Sequence, residues 1–425
     1  MISNLRDSNT ATSNFQEFLY LCQGRILQHA SSTRSSKIQK NQTVDDTTFC
    51  YSAQACMINK NTEQISAAGG EWLIELLRGV AALMVVLAHY WGIAGIQPGI
   101  FIFLSSGVDL FFVISGFVFA PYLFEKTFSA GSFFLRRLFR IYPLYIVSLL
   151  VYAALKIANG QEANYFLTHL FFLHTTVSRE VAFYYNPAYW SLPPEVEFYI
   201  FFPVLILIAK LRKGFTLVVA SAFVLHFFLA FSSPLNINVF NVPAALNVHL
   251  PGLLIEFLLG AIAWRLSGIG LAKATRCLVF FVGVVTWFGS AYLFFFYFRQ
   301  GGDNAVIAND VLRGNTGLFA ALSFMFIVAA VGRFDYLPPS WLKRLSIRLG
   351  NLSFGIYLFH NAAPQILRLF GLQASQLVFA ASCFVLTLVI AQVMNKWLEK
   401  PLRNYGRELA LNLDGAAGRV QFPRL

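Results

Sequence analysis

Ten long apolar runs, separated by short polar stretches, leave this chain few ways to fold. A bilayer interior offers no water to backbone N–H and C=O groups, so a segment of about 20 residues crosses it only by closing its own hydrogen bonds as an α-helix. The runs are 72–96, 100–124, 138–158, 190–208, 215–231, 251–266, 277–298, 314–331, 349–370 and 377–398. With 57% hydrophobic and 12% charged residues and a mean hydropathy of +0.61, a soluble globular fold is excluded. The sequence predicts an all-α, polytopic membrane helix bundle of about ten transmembrane helices, with the lipid bilayer as its constant partner.

The formal charge of +12 is a topology signal and not a nucleic-acid signature. If the amino terminus is cytoplasmic, most of the 32 Lys and Arg residues fall on the inner side: in the leading tail, in 125–140, 210–213, 265–276 and 332–348, and around and beyond Trp397. The outer side keeps only Lys156, Arg179, Arg299 and Arg313. That asymmetry is the positive-inside rule, with both termini inside. No nucleic-acid partner is implied.

Residues 1–70 are rich in Ser, Thr, Asn and Gln and read as a disordered cytoplasmic leader, with Met57 as an alternative start. Residues 71–405 form one membrane domain and 406–425 a cytoplasmic tail. Cys22, Cys50, Cys56, Cys277 and Cys383 show neither CxxC spacing nor an even extracellular set, so they read as free thiols, with no metal site. The largest outer loop, 159–189, carries several aromatics with His169 and His174 and is the natural place for an external substrate to dock. Its apolar stretch 165–174 is too short to span and lies at the interface or re-enters.

Charged and titratable groups are expensive inside hydrocarbon and mark functional sites there. Arg78 and His89 lie eleven residues apart in the first run. Eleven helical steps return to within about 20° of the starting face and climb about 16 Å, so both side chains share one stripe, one near a membrane surface and the other well toward the opposite one. A histidine can serve as base or acid near neutrality, whereas an arginine stays charged and holds anions. The packing alternative for His89 is a satisfied core histidine.

Asp109 interrupts the second run, either as a catalytic group or as half of a structural pair, and Glu256 interrupts LPGLLIEFLLG. In FFLRRLFRIYPLY, Arg136 and Arg140 share a helical face with Arg137 beside them. Three guanidiniums there suit a polyphosphate donor such as a nucleotide thioester, and equally suit plain topology anchors. YWSLPPEVEFY places Pro193 and Pro194 before Glu195 and Glu197 at a helix start, where acidic residues are often only dipole partners. Ser353, Tyr357 and His360 recur at i, i+4 and i+7 in GNLSFGIYLFH. Soluble-enzyme templates such as HExxH, a nucleophile elbow or a Walker loop do not occur.

Taken in order, RGVAALMVVLAHY, SSGVDLFFVISGF, FFLRRLFRIYPLY, YWSLPPEVEFY, EFLLG, LSFGIYLFH and WLEKPLRN resemble the acyltransferase-three family of integral membrane O-acyltransferases over about residues 71–405. The resemblance implies a ten-span bacterial inner-membrane enzyme that moves an acyl group, commonly acetyl, from cytoplasmic acyl-CoA to a hydroxyl of a carbohydrate or glycolipid at the outer face. It implies that His89 is the catalytic histidine, Arg78 its partner, and Arg136, Arg137 and Arg140 the donor site. Glu195 matches the glutamate after the family's tryptophan-serine-leucine motif, and Asp109 stands beside it as a catalytic candidate. Glu256, Ser353, Tyr357 and His360 are further candidates, acyl-CoA enters as a substrate and not as a bound cofactor, and the oligomeric state is left open. The rival classes are a proton-coupled transporter using His89, Asp109 and Glu256 as a relay, and a membrane scaffold. The lack of similarity between the two halves argues against the transporter.

Overall fold

The computed structural model describes residues 72–97, 99–232, 246–295, 315–333 and 338–417, so the leader, Met57, Arg299 and Arg313 lie outside the described residues. Every one of the ten runs is mainly helical where it is described. The long helices are α1 (Trp72–Ile93), α2 (Gly107–Phe124), α3 (Ala130–Ala158), α4 (Leu192–Ala209), α5 (Gly214–Ser232), α6 (Leu250–Ser267), α7 (Lys273–Leu293), α8 (Thr316–Val331), α9 (Ser340–Phe359), α10 (Gln376–Met394) and α11 (Lys400–Ala417). Among the described residues, seven helical segments are long and apolar enough to cross a membrane, and Gly214–Ala230 and Thr316–Val331 are shorter apolar helices. The bundle is polytopic and helical, and no strand occurs among the described residues.

Two helix pairs set the spacing of the interior. Gly116 of α2 faces Phe257 of α6, and Gly260 of α6 faces Val113 of α2, each so closely that a Cβ would collide with the opposing carbonyl oxygen. Small residues at such a crossing let two backbones approach within lipid, where no hydrophobic effect drives helices together. One turn away the contact is filled by Phe112 against Phe257, with ring centroids 4.9 Å apart. The α2–α6 pair then packs on α8, and α7 covers α8 from outside.

Two boundaries differ from the hydropathy pattern. The ninth helix starts at Ser340, inside the basic stretch, and breaks at His360 before resuming as Ala362–Leu369. The break is held by Asn361 Nδ2 donating to Asn186 Oδ1 (2.8 Å) and Asn186 Nδ2 donating to the Leu358 carbonyl (3.0 Å). After α10 one turn widens to π geometry over Asn395–Glu399 before α11, which lies along α3 through Ser132 Oγ donating to Asp414 Oδ1 at 2.5 Å. Pro193 and Pro194 are the second and third residues of α4, where a missing N–H costs nothing.

The segment between α3 and α4 is compact. It folds as short helices Phe166–Leu170, His174–Val177 and Arg179–Ala182 and a 3-10 turn Pro187–Ser191. Tyr165 and Phe172 adopt left-handed backbone angles, φ 59° and 58°, a conformation costly for aromatic residues; Phe172 is held in it by packing against Tyr142 and Tyr145. His169 and His174 are fully buried and stacked, centroids 4.4 Å apart and 4° from parallel.

Candidate active site

Three cavities lie in series through the bundle, joined by shared walls. The first is a mouth of about 370 Å³ lined by Glu75 and Arg78 of α1, Arg136, Arg137 and Arg140 of α3, and Arg403 of α11. The second is a narrow passage with about 60 Å³ of free volume, which shares Arg78, Arg137, Arg140, Ser353 and Phe354 with the mouth. The third is a chamber of about 430 Å³, which shares Val108 and Tyr357 with the passage and contains His89, Asp109 and Glu256. Climbing α1 from Arg78 to His89, or α9 from Ser353 to Tyr357, leads from the first cavity to the last.

At the mouth, Arg78 pairs with Glu75 one turn earlier. Arg403 donates to Asn351 Oδ1 at 3.0 Å and pairs with Glu399 at 3.7 Å. Arg137 sits in an aromatic box, its guanidinium carbon 5.0 Å from the Phe119 ring and 5.8 Å from Tyr199. Its Nε is buried without a hydrogen-bond acceptor. Tyr199 in turn donates to Glu195 one turn back on α4, so Glu195 belongs to the passage beside the arginines and is not gathered with His89. An arginine stacked on rings and still holding an unused N–H has a donor left for an anion.

In the chamber, His89 Nδ1 lies 2.8 Å from the Val85 carbonyl. A carbonyl only accepts, so Nδ1 carries a proton, and in the neutral ring the lone pair is then on Nε2. The ring is exposed to the cavity. His360 meets it edge to face at a centroid distance of 4.9 Å and donates from its own Nδ1 to the Tyr357 carbonyl at 2.8 Å. Tyr357 shares a hydroxyl–hydroxyl hydrogen bond with Ser191 at 2.6 Å. Ser353 Oγ donates to the Gly350 carbonyl at 2.7 Å and lines the mouth and passage. Glu256 is fully buried and meets Asp109 against the backbone of Gly317. No cluster of three metal-ligating side chains occurs among the described residues.

The structure thus collects His89, Asp109, Glu256 and Tyr357 at one end, with His360 behind His89, and Arg78, Arg136, Arg137, Arg140, Glu195 and Ser353 toward the other. Sequence reasoning missed Glu75, Glu399, Arg403 and Arg407 at the mouth and His226 and Trp190 in the chamber. A signal existed for Arg403 in WLEKPLRN, where the charge reads first as a topology anchor. Glu197 has a structural role: it accepts from the Leu250 N–H at 2.8 Å and bonds His249 at 2.5 Å, capping the start of α6.

Comparison with known proteins adds the chemistry that this geometry suits. A family model described as an acyltransferase domain, that of the acyltransferase-three family, matches residues 72–396. The chain belongs to this acyltransferase family. It is 26% identical over 327 residues to a protein of Acidianus two-tailed virus named as an acetyltransferase, covering 74% of this chain and 89% of that one. It is 28% identical over 318 residues to nodulation protein 10 of Rhizobium leguminosarum bv. viciae, covering 67% and 81%. It is 23% identical over 369 residues to a Staphylococcus aureus protein named as an O-acetyltransferase, covering 78% of this chain and 57% of the relative. No solved structure matches. The protein is a multi-pass membrane acyltransferase.

Proposed function

We propose that this acyltransferase takes an acyl group, acetyl as the relatives' names suggest, from cytoplasmic acyl-CoA and transfers it to a hydroxyl of a carbohydrate or glycolipid on the far side of the bacterial inner membrane, with both of its own termini cytoplasmic. The observation that carries the reading is the series of cavities with arginines at one end and His89 at the other. Acyl-CoA has the matching shape: a phosphate-rich head for the mouth and a thin, flexible thioester arm for the passage. Guanidinium forks hold phosphate oxygens bidentately, which gives Arg136, Arg137 and Arg140 the head group and Arg78 the entrance to the passage. A sugar ring does not fit a passage of about 60 Å³ and enters the chamber from its own end.

In the chamber His89 acts as general base. Its Nε2 takes the proton of the acceptor hydroxyl as the oxygen attacks the thioester carbonyl. The C–S bond then breaks and the departing thiolate recovers that proton from His89, so the cycle closes without a net charge. The Val85 carbonyl fixes the tautomer and orients the ring. His360, packed edge to face on His89, restricts its swing, and Glu195 through Tyr199 holds the Arg137 side of the passage.

Removing the base tests this directly. His89→Ala and His89→Gln should each lower acetyl transfer by about 10²–10⁴-fold while the protein still inserts and melts as the wild type does, because Gln keeps hydrogen bonding but cannot take up a proton. Transfer within a few-fold of wild type removes His89 from the mechanism.

A further inference from the structure

We propose that Asp109, Glu256 and the bare backbone at Gly317 form a clasp for two neighbouring hydroxyls of the acceptor, so that this carboxyl pair selects which hydroxyl is presented to His89. The proposal rests on the reading that the acceptor is a carbohydrate. Glu256 is fully buried, and no N–H or hydroxyl among the described residues donates to either of its carboxyl oxygens; its hydrogen-bond partner is the Asp109 carboxyl. Its neighbour is a second carboxyl, that of Asp109. A Cβ built on Gly317 would stand 2.8 Å from Asp109 Oδ1 and 2.9 Å from Glu256 Oε1, so both oxygens converge on the one position where α8 has no side chain.

Such a pair is a poor structural device. Buried polar groups generally cost more than apolar residues of the same shape, and a carboxyl with no donor costs most. The helices it joins are already held by the Gly116 and Gly260 crossings and by Phe112 on Phe257. The arginines of the mouth lie at the other end of the passage, and no Lys or Arg lines the chamber wall among the described residues.

As a ligand site the pair makes sense. A carboxyl pair joined by one shared proton spends that O–H between its members and leaves the other carboxyl oxygens as acceptor lone pairs for the clasp. Asp109 stands in the first turn of α2 and Gly317 in that of α8, where helix dipoles favour the remaining negative charge. Each sugar hydroxyl both donates and accepts, so two adjacent hydroxyls match such a pair. Asp109 keeps partial exposure to the chamber, and Trp190 and Tyr357 line the same cavity, where aromatic residues suit the apolar face of a sugar ring. The chamber's 430 Å³ falls within the range of about 300–1,000 Å³ usual for small-molecule sites. A hydroxyl pair seated on the clasp leaves the next hydroxyl free for His89 Nε2.

The test uses full-length protein in lipid nanodiscs with labelled acetyl-CoA and, as acceptor probes, the methyl glycosides of glucose, galactose and mannose with their monodeoxy analogues. With wild type, removing a hydroxyl next to the acylated one should raise the acceptor KM about tenfold, the size of a lost hydrogen bond to a charged group. Glu256→Gln and Asp109→Asn should each raise the KM of the parent glycoside about tenfold and lose that discrimination, with the KM for acetyl-CoA unmoved. Gly317→Ala should do the same by occupying the clasp. Melting temperature checks folding, and the near-isosteric Glu256→Gln decides between the outcomes if Gly317→Ala misfolds. If Glu256→Gln folds, keeps the parent KM and still rejects the deoxy analogues, the pair is structural and the proposal is wrong. If acetyl-CoA is consumed but no glycoside is acylated, the clasp falls together with the carbohydrate reading and the acyltransferase stands. Absence of any acetyl-CoA turnover would instead defeat the proposed function itself.

Discussion

The mouth and the chamber solve opposite electrostatic problems. At the mouth, Arg136, Arg137 and Arg140 remain partly exposed, with Glu75 and Glu399 among them as countercharges. Arg136 and Arg140 there cost little, because water solvates whatever the ligand does not, while the more buried Arg137 is compensated by the aromatic rings it lies on. The chamber holds no guanidinium among the described residues, and its ionisable groups are imidazoles and carboxyls whose charge depends on a proton. A site for binding a permanent anion can be built from permanent cations near water. Moving a proton at membrane depth calls for groups whose charge can change with that proton. Between the two lies the narrow passage of about 60 Å³, which on the proposed function admits the donor's arm but not the acceptor's ring.

The sharpest way to break this comparison is to disarm the mouth alone. Arg137→Ala or Arg140→Ala should raise the KM for acetyl-CoA about tenfold or more while the acceptor KM is unchanged, because a charge-assisted fork is lost only from the donor's head. Lysine should rescue Arg137 poorly, since an ammonium neither forks nor lies flat on Phe119 and Tyr199. Normal donor binding in a variant whose loops have reversed sidedness would make the arginines topology anchors, and reporter fusions in the 210–213 and 159–189 loops would reveal it.

A smaller effect contrasts the 159–189 segment with the mouth. His169 and His174 lie outside the spanning helices, and burial holds both imidazoles below the usual histidine range. His174 is pushed down to about 3, first by burial and then by the charge of His169. Above about pH 6.5 both rings are neutral whether the segment is folded or not, and they contribute nothing to pH dependence. Below it the unfolded segment takes up protons that the folded one refuses. The 159–189 segment should therefore lose up to about 1.4 kcal/mol per pH unit through His174 as pH falls from 6.5 toward 3, with His169 acting in the same direction. Hydrogen exchange over residues 159–189 at pH 7.5 and 5 checks this: protection should drop at the lower pH, and His174→Phe should flatten the change. Unchanged protection in wild type contradicts it. The arginine mouth, always charged, should show no such trend.

The helices were legible in the sequence because burial in lipid imposes one period and one length, and each of the ten runs is mainly helical where described. The Arg136 to Arg140 pairing and the climb from Arg78 to His89 were legible for the same reason, since both are properties of a single helix. The meeting of Asp109 with Glu256 was not. It depends on glycines at positions 116, 260 and 317, on three helices, that only a tertiary crossing makes equivalent. The break at His360 was hidden by the apolar residues on either side of it, because the Asn186 and Asn361 hydrogen bonds that hold it come from a distant turn. A motif fixes order along the chain and not depth, so the pattern groups Glu195 with His89. In the fold, its hydrogen bond with Tyr199 keeps it among the arginines.

The central claim, that donor and acceptor reach one chamber from opposite faces, is tested most directly in sealed right-side-out vesicles of measured integrity containing the full-length protein. Acetyl-CoA is placed either inside or outside, and a membrane-impermeant acceptor glycoside only outside. The account predicts acylation of the external acceptor when acetyl-CoA is inside and none above the leak rate when it is outside. Equal acylation from both sides would contradict the passage from mouth to chamber and leave an acyltransferase whose two substrates enter by the same door.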